Sequence, residues 1–138
     1  MAERTNPKRK QSRGLTPWHE AVRSGDIDQV RAQLETGTDI NALDERGQTA
    51  LMNAVWWGNP DIAKLLIERG AKLDHAGKYC LTALFLAVIV NRPQLVRLLI
   101  NAGADREIKG TGQFNCLPLE YAQHQGMSEI VSIFQKAT

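Results

Sequence analysis

Three histidines and two cysteines are the residues of this 138-residue chain best equipped for general-base, nucleophilic or metal chemistry. His19, His75 and His124 stand far apart, and none has a second ligand at the short spacing of a metal site. Cys80 and Cys116 are too few for a disulfide framework and lack zinc-ligand spacing. Cys116 and His124 lie near each other in the chain, but a nucleophile–base pair needs a third group to orient the base, and none is in view. The stretch Lys109-Gly110-Thr111-Gly112 lacks the Lys-Ser/Thr that follows the glycines of a phosphate-binding loop. These residues argue against an enzyme and imply no metal, cofactor or small-molecule substrate. Two lone thiols fit a reducing compartment, so a cytoplasmic protein is expected.

Binding is the remaining kind of chemistry, and charge is its first clue. Residues 1–13 hold Arg4, Lys8, Arg9, Lys10 and Arg13 against the single acid Glu3. The rest carries 12 basic and 14 acidic residues, a mildly acidic body behind a basic arm. The arm is expected to be a disordered, solvating tail. The alternative is a nuclear or nucleic-acid-associated factor that uses the arm as an address or as a contact for an acidic partner. Five cations would give at most a salt-dependent, sequence-independent attraction to nucleic acid. No apolar h-region follows the arm, because it leads into Trp18-His19-Glu20. The longest apolar run, Ala83 to Val90, is far short of the ~20 residues that span a bilayer.

The elements that must position any contact surface are set by an internal repeat. Thr16, Thr49 and Thr82 are 33 residues apart, as are Ala21, Ala54 and Ala87, and Gly37, Gly70 and Gly103. The fourth unit follows after 35, from Leu84 to Leu119 and from Ala87 to Ala122, which places two extra residues in the connection between units three and four.

Thr16-Pro17-Trp18-His19-Glu20-Ala21 matches the T-P-L-H-x-A signature everywhere except Trp18, and looser copies begin at Thr49, Thr82 and Leu117. Leu65-Leu66-Ile67-Glu68-Arg69-Gly70-Ala71 and Leu98-Leu99-Ile100-Asn101-Ala102-Gly103-Ala104 supply a second in-phase segment. On these residues the chain resembles the ankyrin-repeat family over about residues 14–138. The resemblance implies an all-α solenoid of four stacked helix–turn–helix repeats with inter-repeat β-turn fingers, at about 14–46, 47–79, 80–114 and 115–138. It also implies that His19 serves inter-repeat hydrogen bonding, whereas His75 is expected in a solvated loop.

Local chemistry agrees with that layout. Each unit pairs a short helix bearing a small alanine with a second helix, across a turn at Gly25, Gly58, Asn91 or Gly126, residues that tolerate positive φ. The second helices open at Asp26, at Asn59-Pro60 and at Pro93. Proline suits the first helical turn, and Asn59 is expected to be an N-cap. Apolar residues recur at Ile62, Leu65, Leu66 and at Leu95, Leu98, Leu99. Gly37, Gly70 and Gly103 stand where a left-handed residue stops a helix. Gln29, Ala32 and Gln33 replace the apolar set in the first unit, and Gln135 softens the last, so both ends read as capped and the array as complete.

The resemblance places partner contacts on the concave inner face and the finger tips. The aligned ends of the first helices are Arg23-Ser24, Trp56-Trp57, Ile89-Val90 and His124-Gln125. These positions are not needed for the stack, yet the central units fill them with large apolar side chains. Tryptophan is among the commonest hot-spot residues. At least one indole is expected to be free, while the other, with Ile89 and Val90, can instead pack into the core. The tips Glu45-Arg46, Lys78-Tyr79 and Gln113-Phe114 add two aromatics, and the longer last finger is expected to be an adjustable contact. Arg23, Arg46, Trp56, Trp57, Tyr79, Ile89, Val90, Phe114 and His124 are therefore the candidate contacts for another protein. The chain itself is expected to be a monomer, acting as an inhibitor, adaptor or regulatory subunit.

Overall fold

The computed structural model describes residues 16–136, and the basic arm expected over residues 1–13 lies outside them. Among the described residues are eight α-helices and no strand. The first unit pairs α1 (Pro17–Ser24) with α2 (Ile27–Glu35), and the second pairs α3 (Ala50–Trp56) with α4 (Pro60–Glu68). The third pairs α5 (Ala83–Ile89) with α6 (Pro93–Asn101), and the fourth pairs α7 (Pro118–His124) with α8 (Ser128–Lys136). First helices pack on first helices and second on second, in chain order. None of the helices is long and apolar enough to cross a membrane.

Four of the eight helices start on a side-chain cap. Thr16, Thr49 and Thr82 cap α1, α3 and α5 by accepting the N–H three residues on, which satisfies one of the orphan donors of the first turn. Asp26 does the same for α2 through the Gln29 N–H. Asn59 does not cap α4. Its amide reaches back instead to the Val22 carbonyl oxygen at 3.3 Å, so a tie between neighbouring units wins over the local cap. The turns behave as expected, with Asn91 at φ 55° in the place that glycine holds in the other three units. Gly37, Gly70 and Gly103 end the second helices at φ near 90° or above.

The first helices of the two central units are buried almost end to end, from Ala50 to Val55 and from Ala83 to Val88. Their small alanines at 54 and 87 have no exposed surface, which lets adjacent backbones approach closely. The core thus runs along the stack instead of closing within one unit.

Three fingers project where units meet, each closed by a backbone hydrogen bond: Asp44 N–H to Gln48 O, Gly77 N–H to Leu81 O, and Gly110 N–H to Cys116 O. The last closure encloses the two extra residues. Side chains tie the bases of the fingers in register. Asn41 Oδ1 accepts from the Lys72 N–H, and Asp74 Oδ1 accepts from the Asp105 N–H, both at 2.9 Å. His75 is half-buried, with Nε2 3.0 Å from the Gly47 carbonyl oxygen, so it joins two fingers and is not a solvated loop residue.

The third finger is anchored to its neighbour, in contrast to the adjustable contact its glycines suggest. Gly110 is buried, and the Thr111 N–H donates to Tyr79 O at 2.8 Å. A Cβ on Gly110 would strike the Phe114 carbonyl oxygen and come within 3.0 Å of the Phe114 Cβ. Gly110→Ala is therefore expected to cost about 1–3 kcal/mol through overpacking, read as a lower urea midpoint. A midpoint equal to wild type would show that the finger moves aside freely.

Candidate partner-binding groove

The fingers and the ends of the first helices of the second and third units border a groove of about 240 Å³. Most of its lining is apolar, with Met52 and Trp56 from α3, Leu86 and Ile89 from α5, and Leu81 at the finger base, while Gln48 and Asn53 add neutral polar groups. Tyr79 and Phe114 bring the two finger aromatics to it, while Arg46 and Lys78 supply the charge. Of the nine candidate contacts, five line this one groove: Arg46, Trp56, Tyr79, Ile89 and Phe114.

The aromatics are held in place from behind. Phe85 has no exposed surface, and its ring lies 6.1 Å from Phe114 and 5.7 Å from Tyr121, both edge-on. Phe114 in turn meets Tyr79 at 5.7 Å. Aromatic pairs at these separations and tilts are favourable. Tyr79 and Cys80 both adopt φ 58°, a left-handed conformation that costs a non-glycine residue roughly 1–2 kcal/mol. The ring cluster and the Thr111 hydrogen bond oppose that strain.

Both indoles are open. Trp56, the last residue of α3, is 45% exposed, and Trp57, its C-cap, is 52% exposed. Neither folds down as a packing residue. Only Trp56 lines the groove, however, and Trp57 stands outside its lining. Ile89 and Val90 are half-buried at the end of α5. His124 is exposed at the end of α7, also outside the groove.

Arg23 has an internal role that the sequence did not disclose. Its guanidinium lies 3.3 Å from Asp44 Oδ2 and 3.6 Å from Glu45, with the side chain only 19% exposed. Asp44 is the hub of the first finger. Oδ1 accepts from the Arg46 and Gln48 N–H groups at 2.8 and 3.0 Å, and Oδ2 accepts from Asn53 Nδ2 at 3.0 Å. Burial by itself would push this carboxyl up, but the hydrogen bonds from Asn53, Gln48 and Arg46, with a smaller contribution from His19, hold it below its usual range. The signal for this in the sequence was weak, since the partners come from a helix about twenty residues upstream and another downstream.

His19 is buried and bridges Thr16 Oγ1 at 2.9 Å and the Ala42 carbonyl oxygen at 3.0 Å. Nε2 carries the proton that Ala42 O accepts, since a carbonyl oxygen has none to give, and Nδ1 shares a hydrogen with the Thr16 hydroxyl. Both partners lie within the first unit, so His19 ties its helix to its own finger and does not bond between repeats as expected.

The family models agree with this architecture. The model described as ankyrin repeats (three copies) matches residues 1–77, and the single ankyrin repeat model matches residues 79–111. The chain belongs to the ankyrin-repeat family. No curated protein matches it. The fourth ankyrin unit lies beyond the matched residues, yet α7 and α8 pack on α5 and α6 as the preceding pairs pack on each other. Ankyrin repeats are generally protein–protein interaction modules and typically not enzymes. Among the described residues no three His, Cys, Asp or Glu side chains gather as a metal ion would require. Burial, and then the charge of Glu120, push the Cys116 thiol up despite Lys109, which disfavours the nucleophilic thiolate.

Proposed function

We propose that this protein binds a partner protein in the groove walled by Trp56 and Ile89 and overhung by Tyr79 and Phe114, and acts as an inhibitor, adaptor or regulatory subunit. The observation that carries this reading is the exposure of Trp56 and Tyr79, 45% and 39%, beside a groove that is mainly apolar, with Arg46, Gln48, Asn53 and Lys78 as its polar part. Large apolar side chains left in water next to a concavity mark a contact surface. One short concave face has limited room, so occlusion of a single target is favoured over assembly of several.

Affinity capture from source-cell lysate tests it, with wild type beside a Trp56→Ser, Trp57→Ser variant shown by circular dichroism to be folded. Loss of a captured protein by the folded variant is expected, with binding weakened about thirtyfold or more, since a hot-spot residue contributes ~2 kcal/mol or more. Retention of the same partner at equal strength would move the site away from the indoles.

A further inference from the structure

The groove is mainly apolar, with Gln48 and Asn53 as neutral polar members, and carries charge of one sign only. Arg46 and Lys78 line it, and no carboxylate does. Both cations are exposed, and neither has an ion-pair partner among the described residues. The nearest acids on the first finger are already engaged: Asp44 and Glu45 both face Arg23. The Lys78 ammonium lies 5.3 Å from the Tyr79 ring centroid, a contact that orients it across the finger aromatic without supplying a counter-charge.

We propose that the groove takes an acidic segment of a partner protein, in which one or two large apolar side chains enter the pocket and flanking Asp or Glu side chains meet Arg46 and Lys78. This rests on the groove being the binding face. Its volume sets the scale of the anchor. About 240 Å³ is below the ~300–1,000 Å³ of sites that enclose a drug-sized ligand or cofactor, and above the ~150 Å³ cavity that holds benzene. One or two side chains fit. The surrounding body is mildly acidic, with 14 acids against 12 bases, but distant exposed charges are screened beyond ~8–10 Å, so the two cations at the groove dominate there. A nucleic acid is the less favoured occupant, because tracking a phosphate backbone takes a longer run of cations than these two.

Selection of random 12-residue displayed peptides on the folded full chain tests the inference, followed by fluorescence anisotropy with the selected peptides and with labelled oligo(dT). The expected peptides carry Phe, Leu, Met or Trp beside Asp or Glu. Their binding should fall about tenfold or more in Trp56→Ser, about tenfold in an Arg46→Glu, Lys78→Glu variant, and further as salt is raised. Peptides that depend on Trp56 but show no acidic excess, or that tolerate the charge reversal, would overturn the acidic partner and leave the groove reading standing. Peptides indifferent to Trp56→Ser would remove both. Oligo(dT) that binds more tightly than any peptide, and loses that binding in the charge-reversed variant, would overturn the inference in favour of nucleic acid. Should Trp56→Ser lose helical signal, the charge reversal carries the test alone, since both of its sites are exposed.

Discussion

Replacing Asp44 by alanine is expected to lower the unfolding free energy by about 3 kcal/mol, the scale of breaking a buried, hydrogen-bonded charge pair. The side chain has no exposed surface and accepts from two backbone N–H groups, the Asn53 amide and the Arg23 guanidinium. Alanine leaves the Arg46 and Gln48 N–H groups without their acceptor, leaves the Asn53 amide only the Thr49 carbonyl oxygen, and leaves Arg23 only its longer pair with Glu45. Asp44→Asn separates shape from charge. Its carbonyl oxygen can keep the Arg46 and Gln48 N–H groups, but its amide then faces two donors, Asn53 and Arg23, so a loss of about 2 kcal/mol or more is expected.

The same site makes stability depend on pH. The carboxyl is held below its usual range in the folded state, so its ionised form contributes stability that is present above the unfolded-state value. That contribution disappears as pH falls through the lower, folded value. Urea unfolding of wild type and Asp44→Ala should therefore show a gap that is full at neutral pH and narrows once pH drops below the ordinary carboxylate range. A gap that stays constant into strong acid would mean that the ionised carboxylate is not what holds the finger.

Phe85→Ala is expected to cost about 3–5 kcal/mol, the range for emptying a fully buried aromatic site. Phe85 is the largest side chain with no exposure, and it carries the ring contacts to Phe114 and Tyr121 that couple the third unit to the fourth. In a solenoid, stability is a sum of units and neighbour interfaces, so the loss should be uneven. Protection of amides in α7 and α8 should fall before that of α3 and α4 when the variant is titrated with urea and followed by hydrogen exchange. The Phe114 ring would also lose its backing, which loosens the groove from beneath. A loss below about 1 kcal/mol, spread evenly over the helices, would contradict this coupling.

The parts legible in the sequence are those decided within a few residues. The threonine caps, the left-handed Asn91 and the glycines that stop the second helices follow from local backbone chemistry, which the repeat phase displays several times over. The exposure of Trp56 and Trp57 was legible too, because alignment of units identifies places the stack does not need. What was not legible depends on partners in the next unit. Asn59 satisfies the cap rule by type, yet the Val22 carbonyl competes for its amide. Arg23 looks like a free contact residue until Asp44 is brought beside it. His75 and the third finger look solvent-directed until Gly47 O and Tyr79 O accept from them. Which indole faces the groove follows from the last turn of α3 and could not be read from a Trp-Trp pair.

Amide hydrogen exchange of the protein with and without its captured partner tests the binding face most directly. Slowed exchange confined to the finger segments 44–48, 77–81 and 110–116 and to the C-terminal ends of α3 and α5 is the expected footprint. Protection confined instead to the outer face, around Arg97, Asn101 and Ile133, with the fingers exchanging as in the free protein, would contradict the groove as the binding site.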